Sequence, residues 1–201
     1  MKLSIRYEHE YRAMLWKNGK GLTREVWVYP EGATLDDCLW RVSCAQVAQA
    51  GAFSQMLGLE RSLMILRGVL RVQDLDAQRS VFLSPQSAPF VFAGSATIHA
   101  EPMGAGRVED FNVMTRTGDC SHVARRLNVV GAHDEPLMGD WMLIYHEGGA
   151  PVHIDQLTER VLDERASLLV AREGKSEEII RLSATQAALI VVHINQIRRT
   201  P

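Results

Sequence analysis

The sequence predicts an all-β protein, and three observations carry that expectation. Short runs rich in β-branched and aromatic residues recur along the whole chain, separated by Gly, Pro, Asn or Asp. Helical periodicity is scarce. So many strands would leave many unpaired edges, and a closed or nearly closed barrel is the natural way to remove them.

In order, the β-prone runs fall at residues 3–7, 24–29, 39–47, 62–66, 69–74, 89–92, 96–101 and 108–116. They continue at 121–129, 140–145, 167–171, 178–182 and 188–196. Residues 155–165 are the best helical piece, with Asp155 placed as an N-cap, and they read equally as an extended loop. Residues 131–139 carry loop chemistry on both sides of a proline. They mark the best internal boundary, dividing 1–130 from 131–201.

Composition excludes several classes. The 201 residues are enough for one sizeable core, or for two small β units sharing one. The chain is 46% hydrophobic and 23% charged with a net charge of −2 and no basic block, so no nucleic-acid partner is expected. The longest apolar run, residues 187–192, is far short of a membrane span. The opening residues turn polar too early for a signal peptide. Cys38, Cys44 and Cys120 show no C-x-x-C spacing and suit free thiols in a reducing compartment. The cytoplasm is the expected location.

The stretch Trp16-Lys17-Asn18-Gly19-Lys20-Gly21-Leu22-Thr23-Arg24-Glu25 runs directly into the strand-like Val26-Trp27-Val28-Tyr29. Asn-Gly favours a tight turn with positive φ, and Gly21 adds a second permissive position. This is a turn feeding a strand, either a solvated hairpin tip or a binding loop. Phosphate-loop spacing is missing. Alternation from Trp40 puts Arg41, Ser43 and Ala45 on one strand face. Alternation from Glu109 does the same for Asp110, Asn112, Met114 and Arg116. Arg61 begins the most apolar strand, on the face of Leu63 and Ile65. Pointing inward, it would place a guanidinium at the mouth of an apolar cavity, where it wants an anion. Pointing outward, it is a surface arginine snorkelling over the rim.

These residues form an ordered set. Trp16-Lys17-Asn18-Gly19-x-Gly21-x-Thr23-Arg24-Glu25 is followed by Trp40-Arg41-Val42-Ser43, Gly51-x-Phe53-Ser54 and Gly58-x-x-Arg61-x-Leu63-x-x-Leu66-x-Gly68. Phe92-x-Gly94 and Asp110-Phe111-Asn112-x-Met114-x-Arg116 complete it. The set resembles the HutD/Ves family of cupin-like proteins over roughly residues 5–120, and by strand texture alone beyond. Lys20 departs from the family's usual glycine. The resemblance implies a bicupin-like double β-barrel of RmlC-like cupin architecture. An N-terminal barrel would carry the motifs, and the C-terminal unit would complete the second barrel by strand exchange. It also implies a non-enzymatic protein without cofactor, acting in or regulating histidine utilisation; the Ves branch is associated with cold or stress response. The implied ligand is a small anionic metabolite, N-formylglutamate or urocanate. Arg61 would clamp its carboxylate, Asn18, Thr23, Ser43 and Asn112 would offer polar contacts, and Trp16 and Phe92 would form apolar walls.

Two rival classes remain open on sequence. His153-x-Asp155 with distant His193 outlines a two-histidine, one-carboxylate metal triad for a cupin-type enzyme, although no H-x-H pair occurs. His193, on an apolar strand, is equally a hydrogen-bonded core residue. Trp27, Trp40 and Trp141 are core residues or, on an exposed sheet, a protein-interaction surface. A homodimer suits the architecture, and no residue pattern fixes one. Nucleophilic catalysis finds no support. There is no G-x-S-x-G elbow, Cys44 lies in a β-like run, and Asp36-Asp37 would raise the pKa of Cys38.

Overall fold

A computed structural model describes residues 1–16, 21–104, 106–157, 159–174 and 177–198. The chain is all-β and cupin-like, with a nearly closed barrel sheet. It divides into two units. One is Tyr11–Cys120, and the other joins Met1–Glu10 to Ser121–Pro201. The division therefore falls after Cys120 instead of at 130, and the first ten residues go with the C-terminal unit. No helix among the described residues is long and apolar enough to cross a membrane.

Strand β1 (Lys2–Arg6) opens the chain. The unit Tyr11–Cys120 then contains β2 (Arg12–Leu15), β3 (Gly21–Tyr29), β4 (Trp40–Val47), β5 (Gly51–Ala52) and β6 (Leu59–Arg67). It continues with β7 (Val69–Asp74), β8 (Arg79–Leu83), β9 (Phe90–Ala93), β10 (Ile98–Met103) and β11 (Val108–Arg116). One sheet runs β2-β3-β4-β11-β6-β9 and the other β5-β10-β7-β8. Val47, Leu63, Ile65, Phe90, Phe92 and Val108 from the first sheet pack with Leu70, Val72, Leu83, Ile98 and Ala100 from the second in a single core. Period-2 alternation dictates this arrangement. In β10, buried Ile98 and Ala100 alternate with half-buried His99 and Glu101, so a one-residue slip would turn the apolar set outward.

The second unit holds β12 (Cys120–Pro136), β13 (Trp141–Gly149), β14 (Val152–Ile154), β15 (Val161–Leu162), β16 (Ser167–Ala171) and β17 (Ile179–Gln196). Its sheet runs β1-β16-β13-β17-β14-β15, with β12 on β17. β1 pairs with β16 from Lys2↔Ala171 to Arg6↔Ser167, which is how the N-terminus joins this unit. Met142, Ile144, Leu168, Val170, Leu189 and Val191 centre its own core. Two expectations are corrected. Residues 131–139 are no loop as far as Pro136, because Gly131, at φ 75°, lets β12 bend without breaking. The described part of 155–165 forms turns and the short β15 in place of a helix.

One carboxylate ties this unit together. Glu135 is 1% exposed and accepts from Arg125 Nη2 at 2.6 and 2.7 Å. It also meets His133 Nε2 at 3.0 Å and His193 Nε2 at 3.2 Å. Burial alone would raise its pKa. The hydrogen bonds from His193, His133 and Arg125 outweigh that and hold it at about 2. A carboxyl with a depressed folded pKa stabilises fully above its ordinary value of 4.5 and loses that contribution as pH falls towards 2. Glu135→Gln is expected to cost about 3 kcal/mol at neutral pH, as for removal of one member of a buried charged group. It should also flatten the acid limb. Urea unfolding of both proteins between pH 7 and about pH 3 checks both outcomes.

Candidate functional site

Three cross-strand rows build the floor of a cavity of about 510 Å³ in the unit Tyr11–Cys120. Met114 of β11 sits between Arg41 of β4 and Arg61 of β6. Asn112 sits between Ser43 and Leu63, and Asp110 between Ala45 and Ile65. Residues directly opposite in register share a sheet face, so the alternation of β4, β6 and β11 delivers all of these side chains to one side. Met14, Leu15, Trp16, Thr23, Leu35, Ala52, Phe53, Ser54 and Met56 complete the lining.

Arg61 is the centre. Its side chain is buried, at 4% exposure for the residue, a position that costs free energy unless the charge is compensated. Nη2 donates to Asn112 Oδ1 at 3.0 Å and Nη1 to the Ser54 carbonyl at 3.3 Å, while Nε has no partner. The guanidinium lies 4.8 Å from the ring centre of Phe92, its cross-strand neighbour, and 5.5 Å from that of Phe53. Those distances suit cation–π attraction. Asn112 Nδ2 in turn donates to Asp110 Oδ1 at 2.8 Å. Asn112 therefore spans cation and anion, its oxygen towards one and its nitrogen towards the other.

Burial dominates the electrostatics. It pulls the Arg61 guanidinium down to about 10 against the charge of Asp110. It pushes the Asp110 carboxyl up to about 7 against the hydrogen bond from Asn112, the charge of Arg61 and the Ala45 amide. Arg41, also buried, is closed off differently: its Nε donates to Glu25 Oε2 at 2.7 Å.

The surrounding loops are held by backbone bonds. Met56 N–H donates to Gly94 O at 2.7 Å and Gly94 N–H to Leu59 O at 2.6 Å. A Cβ on Gly94 would lie 2.2 Å from the Met56 carbonyl, so only glycine permits this approach. Arg116 donates to the carbonyls of Cys38 at 3.1 Å and Leu35 at 2.9 Å, fixing the loop that supplies Leu35 to the wall. The Cys38 thiol is buried, and burial pushes its pKa up.

Of the residues singled out from sequence, Trp16, Thr23, Ser43, Arg61 and Asn112 line this one cavity. Phe92 stands beneath Arg61. Asn18 lies outside the described residues, as does Lys20. β2 and β3 form the hairpin, closed by Trp16 N–H to Gly21 O at 3.0 Å. Trp16 Nε1 also donates to Thr23 Oγ1 at 2.8 Å. Gly21 is needed for room and not for a positive φ, since a Cβ there would lie 2.8 Å from the Trp16 indole and 2.7 Å from the Gln46 carbonyl.

Asp110, Arg41, Phe53, Ser54 and Met56 were not singled out as site residues. The strand phase that carries Ser43 and Asn112 was the available signal for Arg41 and Asp110. The metal triad is corrected. No group of three or more His, Cys, Asp or Glu able to hold a metal exists among the described residues, and His193 is bonded to Glu135 and to the Met138 amide.

Fold and cavity together define a cupin-like β-barrel protein with a buried cation in its floor. Residues 8–190 match the family model HutD, and the chain belongs to the HutD family. It is 33% identical over 112 residues to protein Ves of Escherichia fergusonii, covering 55% of this chain and 56% of that one. It is 34% identical over 113 residues to an uncharacterised 21.2 kDa protein in the hutC 3' region of Pseudomonas putida, covering 56% and 58%. The match thus spans little more than half the length of these relatives. A conserved protein of unknown function from Pseudomonas aeruginosa PAO1 superposes with a TM-score of 0.86 at 26% identity, covering 97% of this chain and all of that one.

Gly21→Ala is expected to displace the Trp16 indole from its place beside Thr23. The outcome is a red-shifted tryptophan emission that is absent when the same change is made in Trp16→Phe, which isolates the contribution of that indole. Fluorescence spectra of the three variants and wild type check it.

Proposed function

We propose that this protein binds a small carboxylate and acts in, or regulates, histidine utilisation, without catalysing a step. The observation that carries the reading is the buried Arg61 guanidinium in the cavity floor. Only two of its donors are engaged, both by neutral oxygens. A carboxylate is the natural complement of such a group, and apolar walls with few convergent polar groups suit a small ligand. Thr23, Ser43 and Asn112 supply neutral contacts, and Asn18, outside the described residues, is proposed as a further one. Family membership and the hutC-region location of the P. putida relative support the pathway. The proposed ligands are N-formylglutamate and urocanate. On the same reading the two units are the paired barrels of a bicupin, the protein is cytoplasmic, and a homodimer is its assembly.

Calorimetric titration with N-formylglutamate, urocanate, histidine, glutamate and formate tests the reading. Saturable binding of one carboxylate is expected, weakened tenfold or more in Arg61→Ala, as for loss of a charge-assisted hydrogen bond. Arg61→Lys, which keeps the charge and loses the fork, should fall between the two. Equal affinity in wild type and Arg61→Ala would overturn the assignment.

A further inference from the structure

The cavity's charges balance before any ligand enters. Asp110 on β11 feels the charge of Arg61 on β6, to which Asn112 links it. Arg41 of β4 lies with Arg61 in the Met114 row and is closed by Glu25 on β3 at 2.7 Å. Asn112, the next residue on the same face of β11, is neutral, as are Ala45 and Ile65, the cross-strand neighbours of Asp110. Glu109 has the opposite strand phase, with Gln46 donating to it at 3.3 Å. Two cations thus stand against two carboxylates among the described residues.

Asp110 and Arg61 are joined through Asn112 and not to each other. A guanidinium has five N–H donors, and Arg61 uses two. An incoming carboxylate therefore has no need to displace Asp110 in order to reach Arg61. Asp110 is 1% exposed and cannot turn into solvent. If it stays ionised, the liganded site holds one uncompensated negative charge in a poorly solvated place, which is costly.

Resting on the carboxylate-binding reading, we propose that Asp110 is the charge-compensating group of this site: a singly charged carboxylate enters together with one proton, which Asp110 takes from solvent. The carboxylate accepts from the free Arg61 donors, the proton neutralises Asp110, and the net charge of the cavity is unchanged. Protonated Asp110 can still accept from Asn112 Nδ2, so the bridge survives. The described cavity residues hold no second group to compensate a second ligand charge, so monocarboxylates are favoured over dicarboxylates. Of the two proposed ligands, urocanate is therefore favoured over the doubly charged N-formylglutamate. The Asp110 carboxyl, already pushed up to about 7 by burial, lies in the range where this exchange is open near neutrality.

The sign follows from linkage. Below about pH 6 Asp110 is already protonated and formate affinity should be flat. Above about pH 7.5 each bound anion brings a proton, and affinity should fall about tenfold per pH unit. The experiment is calorimetric titration of the full chain with formate from pH 6 to 9. Urocanate is added from pH 7 to 9, where its imidazole stays neutral, and each titration is run in two buffers of different ionisation enthalpy. Uptake of close to one proton per ligand at pH 8.5 is expected. Asp110→Asn should bind with no uptake and a flat profile. Monomethyl succinate should bind more tightly than succinate. Binding without proton uptake in wild type overturns the proposal and leaves carboxylate binding intact, and this measurement needs no variant to fold. Tighter binding of succinate overturns the charge class. Binding of neither formate nor urocanate at any pH overturns both the proposal and the reading beneath it.

Discussion

A guanidinium buried in a β-sheet has to be accommodated from several directions at once, and Arg61 shows what that requires. Two aromatic rings face the cation, a carbonyl and an amide oxygen accept from it, and a carboxylate bonded to the far side of that amide supplies the counter-charge. None of these partners is adjacent to Arg61 in sequence. They come from three other elements, so the site exists only when β6, β9 and β11 and the loop through Phe53 and Ser54 are in register. The apolar strands set that register, because a slip of one residue would expose Leu63 and Ile65 as well as dismantle the site. Stability and site geometry therefore depend on the same pairing.

The two units meet the cost of buried charge in different ways. In one, Glu135 gathers donors from Arg125, His133 and His193 until its charged form is strongly favoured. In the other, Asp110 receives one side-chain hydrogen bond and keeps a carboxyl easily protonated near neutral pH. The first arrangement is a fastening. The second leaves the ionisation state open to whatever occupies the cavity.

Much of this was legible in the sequence because β structure writes alternation directly. Arg41 with Ser43, and Asp110 with Asn112, follow from phase alone. Phase does not say which face is inside, and the polar character of Asp110 and Arg116 argues for solvent until the register with β4 and β6 is known. Arg79-Ser80 hid β8 for the same reason, since its residues are mostly exposed or half-buried. The loop through Phe53, Ser54 and Met56 was unreadable for another. It is held by bonds to Ile98, Gly94 and Ser95, some forty residues away, and local chemistry carries no trace of them. Gly131 misled in the opposite sense, as a glycine that bends a strand has the same signature as one that ends it.

Three of the lining residues, Met14, Met56 and Met114, are thioethers. Such unbranched, polarisable chains refill irregular space as its outline changes. A wall of this kind follows the contour of its guest and does little to reject one contour in favour of another. The fixed features are the guanidinium, the amide bridge and the carboxyl. Discrimination among guests of similar size then falls to polarity and charge, and ligand chemistry can drift in shape over evolutionary time while the polar triad stays unchanged.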